Sequence, residues 1–158
     1  MDVIQQIRSG MGKDWISAIY EEQIRPGRTR SFKMDIPERE NAPAILHTLL
    51  GTELKVGRLR VHCPDLGTAR YLLIFATLGC REVAVPYDIT TIPAMADSLT
   101  TALDRTFEAF NALTGKESPQ ARGRMRSKLV RTLREEIKAI GAGEMMPLFN
   151  RSTKQRQN

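Results

Sequence analysis

From Ile92 to Leu113 apolar residues return every three or four positions: Ile92, Met95, Leu99, Leu103, Phe107, Phe110 and Leu113. A strand alternates every two residues and cannot bring these side chains to one face. A helix with 3.6 residues per turn does so over about six turns. Thr91 is placed to cap this helix, Pro93 fits its first turn, and Gly115 stops it. Ser118 and Pro119 open a second helix that runs to Ile140, before Gly141, with Met125, Leu129, Leu133, Ile137 and Ile140 as its apolar stripe. The two helices suit an antiparallel hairpin.

The first half of the chain reads differently. Residues 3–24 carry two helical stripes, with a break expected at Ser9-Gly10. Ser31 to Ile36 alternates, with Phe32, Met34 and Ile36 on one side, as a half-buried strand does. Asn41 is placed to cap a helix carrying Ile45, Leu46, Leu49 and Leu50, with Gly51 as its stop and His47 on its polar flank. Leu54 to Cys63 reads as one strand, with Leu59, Val61 and Cys63 on its apolar face. Asp65 caps a helix from Leu66 to Leu78, which Gly79 ends, and Glu82 to Tyr87 reads as a third strand.

Strand, helix, strand, helix, strand with short connections predicts parallel pairing through right-handed crossovers. The expected class is therefore α/β: a small three-stranded, mainly parallel sheet with crossover helices, an N-terminal helical segment and a C-terminal two-helix extension. The expected units are an α/β body over 1–115 that includes helix 92–114, a basic amphipathic arm over 116–149, and a disordered basic tail over 150–158.

A chain of 158 residues with 41% apolar and 27% charged content is one globular domain. It holds no run of about 18 apolar residues, so no membrane span is expected. The N-terminus has no basic flank leading into an apolar stretch, which points to a cytoplasmic protein. Two cysteines and two histidines are too few for a disulfide framework or a four-ligand zinc site, and no metal or cofactor is expected. Asp35, Glu38 and Glu40 cluster after the first strand and read as a solvated turn.

Charge is the informative feature. Residues 116–158 hold eleven Lys or Arg and four Glu, a net of +7, while residues 1–115 hold thirteen basic and fourteen acidic, a net of −1. Seventeen of the 24 basic residues are Arg, whose rigid fork of donors suits phosphate. Such a local excess is the footprint of a polyanion partner. Arg58, Arg60 and His62 would form a row about 14 Å long on one strand face, joined by Lys33 from a neighbouring strand.

One motif suggests chemistry. Residues 61–70 read Val-His-Cys-Pro-Asp-Leu-Gly-Thr-Ala-Arg where a strand meets a helix. This resembles the signature of the cysteine-dependent protein tyrosine phosphatases: His-Cys, five residues, then Arg. The resemblance would make Cys63 the nucleophile and Arg70 the phosphate clamp. Six residues separate them here, and one extra residue on a helix rotates the Arg by about 100°. Asp65 adds a negative charge where phosphate would lie. The expected role of the segment is a capped strand–helix junction.

The functional expectation is a non-enzymatic accessory protein that binds nucleic acid through backbone phosphates. Arg122, Arg124, Arg126, Lys128, Arg131, Arg134 and Lys138 would carry the affinity, with Arg58 and Arg60 assisting. The alternative is an assembly or scaffold subunit that docks a protein partner, or a second copy as a homo-oligomer, through its C-terminal amphipathic helices 92–114 and 119–140, with Met125, Leu129, Leu133 and Ile137 as the contact residues.

Overall fold

The computed structural model of the chain describes residues 2–23, 27–34 and 42–140. Asn41, Ile36, the Asp35–Glu38–Glu40 group and the tail 150–158 lie outside the described residues.

Helix α1 (Val3–Met11) begins with a reciprocal cap. Asp2 Oδ1 accepts from Gln5 N at 2.8 Å, while Gln5 Oε1 accepts from Asp2 N at 3.3 Å. The helix breaks at Gly12 and not at Ser9-Gly10, because Gly12 takes φ +56°, which a residue without a Cβ adopts cheaply. A single 3-10 turn leads into α2 (Ile16–Gln23).

Strand β1 (Thr29–Lys33) is the alternating segment, begun two residues earlier than expected. The next stretch departs from the expectation, because residues 44–63 form no helix. They form a three-stranded antiparallel meander: β2 (Ala44–Thr48), β3 (Gly51–Val56) and β4 (Leu59–Cys63). The β2–β3 turn holds Leu49 and Leu50, 106% and 86% exposed, and returns through Gly51 at φ +124°. The second reversal sits at Gly57-Arg58, with Gly57 at φ +60°. In this arrangement Ile45 pairs with Leu54, and Leu54 with Val61, on one face.

Helix α3 (Leu66–Thr77) comes next, with the expected cap: Thr68 N donates to Asp65 Oδ1 at 2.7 Å. β5 (Glu82–Pro86) does not join β4 through a right-handed crossover. It pairs antiparallel with β1, Phe32 opposite Val83 and Arg30 opposite Val85, as a separate two-stranded ribbon. The mainly parallel three-stranded sheet is thus replaced by two small antiparallel sheets. Hairpins satisfy the backbone with turns of two residues, and no helix lies between β2, β3 and β4 to carry a parallel crossover.

α4 (Ile92–Leu113) and α5 (Pro119–Ile140) complete the described chain. α3 lies against both the three-stranded sheet and α4, α4 also packs on α1 and α2, and α5 lies against α2. Contact between α4 and α5 runs through side chains: Arg122 to Asn111 and Arg126 to Phe107. The core centres on Tyr20, Tyr71 and Phe75. The Phe75 ring centre lies 5.4 Å from that of Tyr20 and 4.8 Å from that of Tyr71, and the Tyr71 hydroxyl donates to the Tyr20 hydroxyl at 3.1 Å. Burial holds the Tyr71 phenol neutral well above its ordinary range.

Candidate nucleic-acid interface

α5 starts where Ser118 Oγ accepts from Ala121 N at 3.2 Å, and Pro119 occupies its first position. Leu129, Leu133 and Ile137 are all 0% exposed, and Met125, Val130 and Ile140 are half-buried beside them. Full burial of each leucine or isoleucine contributes roughly 1.5–3 kcal/mol, so this stripe fixes the helix's rotation about its axis.

The rotation decides which cations reach solvent. Residues seven apart on a helix stand almost in line, about 10.5 Å from one to the next. Arg124, Arg131 and Lys138 are therefore a single row about 21 Å long, opposite the buried stripe, with Lys128 beside it. All four are exposed. Among the described residues Arg124, Arg131 and Lys138 make no ion pair, and Lys128 Nζ lies 4.0 Å from the Asp2 carboxylate, both side chains over half exposed. So open a pair holds its lysine weakly. Glu135 is the acid on this face, while Glu136 turns inward.

The other three arginines of the helix are engaged within the chain. Arg122 donates to Asn111 Oδ1 at 3.3 Å, and its Nε is buried. Arg126 lays its guanidinium 4.4 Å from the Phe107 ring centre. Arg134 donates to Leu78 O at 3.4 Å, occupying a carbonyl at the end of α3, and it fills the space where a side chain on Gly79 would stand. Arg58 and Arg60 do not extend the α5 row: Arg58 lies in the β3–β4 turn, and Arg60 is on β4, 3.7 Å from Glu53. His62 shares the open face of β4 with Arg60, but Lys33 lies in the other sheet, so the expected cationic row of four is broken up.

At the strand–helix junction Cys63 is buried, and burial pushes its thiol up to about 11. A thiol held neutral is a poor nucleophile. Arg70 pairs with Asp97 on α4 and not with the junction loop, in keeping with its extra residue of rotation. Among the described residues no three His, Cys, Asp or Glu side chains gather, and no helix is long and apolar enough to cross a membrane. A cleft of about 510 Å³ between α2 and α4 carries charges of both signs, with Arg105 and Asp14 joined at 3.2 Å, so it offers no single-signed field to a polyanion.

Sequence reasoning missed two cation–aromatic pairs on the β1–β5 ribbon. Arg28 stacks on Tyr87 with its guanidinium carbon 5.6 Å from the ring centre, and Arg30 on Phe32 at 4.7 Å. The available signal is the spacing Arg28, Arg30, Phe32, which alternates as strand residues do.

No protein-family model, no curated protein and no solved structure matches this chain.

Proposed function

We propose that the protein binds nucleic acid through its backbone phosphates, along the outer face of α5. The observation that carries this reading is the division of labour on that helix. Leu129, Leu133 and Ile137 are wholly buried, which leaves Arg124, Lys128, Arg131 and Lys138 exposed along one row. A row of cations on a helix already seated in the core meets phosphates without first having to order its own backbone. Each phosphate it neutralises releases counterions. Contacts of this kind position a protein on a duplex and carry no base identity, so sequence-independent binding is expected. Arg122, Arg126 and Arg134, engaged elsewhere, contribute little.

Burial of the α5 stripe favours this reading over docking through that stripe. Three of its four residues are spent inside the chain, and Met125 is half-buried. The test is retention of a fluorescent duplex at low salt by the native chain and by the Arg124→Gln, Lys128→Gln, Arg131→Gln variant. The reading requires binding that the variant loses while its helical circular dichroism is unchanged. Equal binding by the two proteins sinks it.

A further inference from the structure

We infer that the β1–β5 ribbon is a second contact site, for single-stranded nucleic acid, in which an unpaired base stacks beside Tyr87 while Arg28 and Arg30 take the adjoining phosphates. This deepens the proposed function and rests on it for the class of ligand.

The geometry comes from the ladder. Tyr87 N donates to Arg28 O at 3.0 Å, which extends the β1–β5 pairing one step beyond Thr29 and Pro86 and sets Arg28 directly across from Tyr87. Arg28 and Arg30, two apart on a strand, project to the same face about 6.8 Å from each other. Tyr87 is 56% exposed although Arg28 already covers part of its ring. Large aromatic rings left this open at the end of a strand are available to a flat partner, and unpaired bases stack on tyrosine rings and on guanidinium planes alike.

The electrostatics agree. Arg28, Arg30, Lys33 and Arg81 are exposed on or beside the ribbon, and among the described residues none of them makes an ion pair. Of the acids described beside the ribbon, Glu82 accepts from Ser31 Oγ, and Asp88 Oδ1 accepts from Thr90 N at 3.1 Å and Thr90 Oγ1 at 2.6 Å, and neither pairs with these cations. A duplex buries its base faces in the stack, so it has no free base to offer the ring.

The test compares a 15-nucleotide oligo(dT) carrying 2-aminopurine at its centre with a duplex of equal length. The native protein should bind both and quench the 2-aminopurine of the single strand. Tyr87→Ala should weaken the oligo(dT) complex about tenfold or more and abolish the quenching, with the duplex affinity unchanged. Tyr87→Phe, which keeps the ring, should stay within about twofold of native on both ligands. Arg28→Gln with Arg30→Gln should weaken the single-strand complex and flatten its dependence on salt, because fewer phosphates are neutralised. If Tyr87→Ala keeps the native oligo(dT) affinity, or if the native protein binds the duplex without quenching the single strand, the ribbon site is wrong while the α5 reading stands. If the α5 glutamine variant keeps its duplex affinity while Tyr87→Ala loses the single strand, the α5 reading is wrong and the ribbon stands alone. Binding of neither ligand overturns both.

Discussion

The indole N–H of Trp15 donates to Glu136 Oε1 at 3.0 Å, across 121 residues of sequence. Ser17 Oγ donates to the same oxygen at 2.5 Å, and Arg8 pairs with Oε2. One partly buried carboxylate on α5 thus gathers a donor from α1, one from the junction before α2 and one from α2 itself. It seats the cationic helix on the N-terminal helices next to its buried stripe. Hydrogen bonds to a charged group are worth roughly 1.5–3 kcal/mol each, and Trp15, the one tryptophan of the sequence, reports on this contact directly. Glu136→Ala should lower stability by about 2–4 kcal/mol, read from the urea midpoint. It should also shift Trp15 emission to longer wavelength before global unfolding. An unchanged midpoint would mean that the buried stripe alone seats α5.

Because Leu129, Leu133 and Ile137 belong to the same core cluster as Trp15 and Tyr20, α5 supports the fold. Leu133→Asp puts a charge into that core and should cost about 3–5 kcal/mol or prevent folding. Deleting residues 116–158 should remove the near-ultraviolet circular dichroism of the aromatic core. A truncated chain with a native-like aromatic signal would show α5 to be a separable arm.

Cys63 sets a pH dependence. Its thiol is raised by burial from an ordinary 9.0 to about 11, so folding favours the neutral form. That contribution is fully present below pH 9 and is lost as pH rises from about 9 to about 11. The native chain should therefore lose more stability over this interval than Cys63→Ala does, measured as urea midpoints at matched pH. At neutral pH the thiol should react with a disulfide reagent only on unfolding. Rapid labelling of the folded chain would contradict the buried, neutral thiol.

How much of this was legible in the sequence depends on whether local signals compete. Asp65, Gly79 and the three-and-four spacing of residues 92–113 and 119–140 each fit one structure only, and those helices stand where the pattern puts them. Ile45, Leu46, Leu49 and Leu50 fit a helix face as well as a hairpin. The Thr48–Gly51 turn lacks the Asn-Gly or Asp-Gly pair that marks a two-residue reversal. The second hairpin did leave a trace: apolar residues sit at even positions 54 and 56 and at odd positions 59, 61 and 63, and the parity changes across Gly57. A single strand cannot change parity without moving its apolar set to the other face. On α5 the cations were visible, but the sorting into an outward row and three engaged arginines was not. It depends on Asn111, Phe107 and Leu78, which the fold brings from elsewhere.

The first hairpin offers a local check. Gly51 at φ +124° occupies backbone space that side chains rarely enter, and a Cβ there would meet His62 Cε1 at 3.4 Å. Gly51→Ala should cost about 1–3 kcal/mol, whereas Leu50→Ser, at a fully open position, should change stability by less than about 0.5 kcal/mol. Equal effects from the two, in paired thermal melts, would argue against the turn.

Phosphate binding by α5 is tested most directly by the salt dependence of duplex affinity. Four exposed cations on α5 predict a slope of log affinity against log salt of about −3.6, and replacing Arg124, Lys128 and Arg131 by Gln should flatten it by about 2.7. The loss should be the same for unrelated duplex sequences. The buried stripe is untouched by these substitutions, so the variant should melt with the native chain. A slope near zero for the native protein, or a slope that the three substitutions leave unchanged, would contradict phosphate binding by this helix.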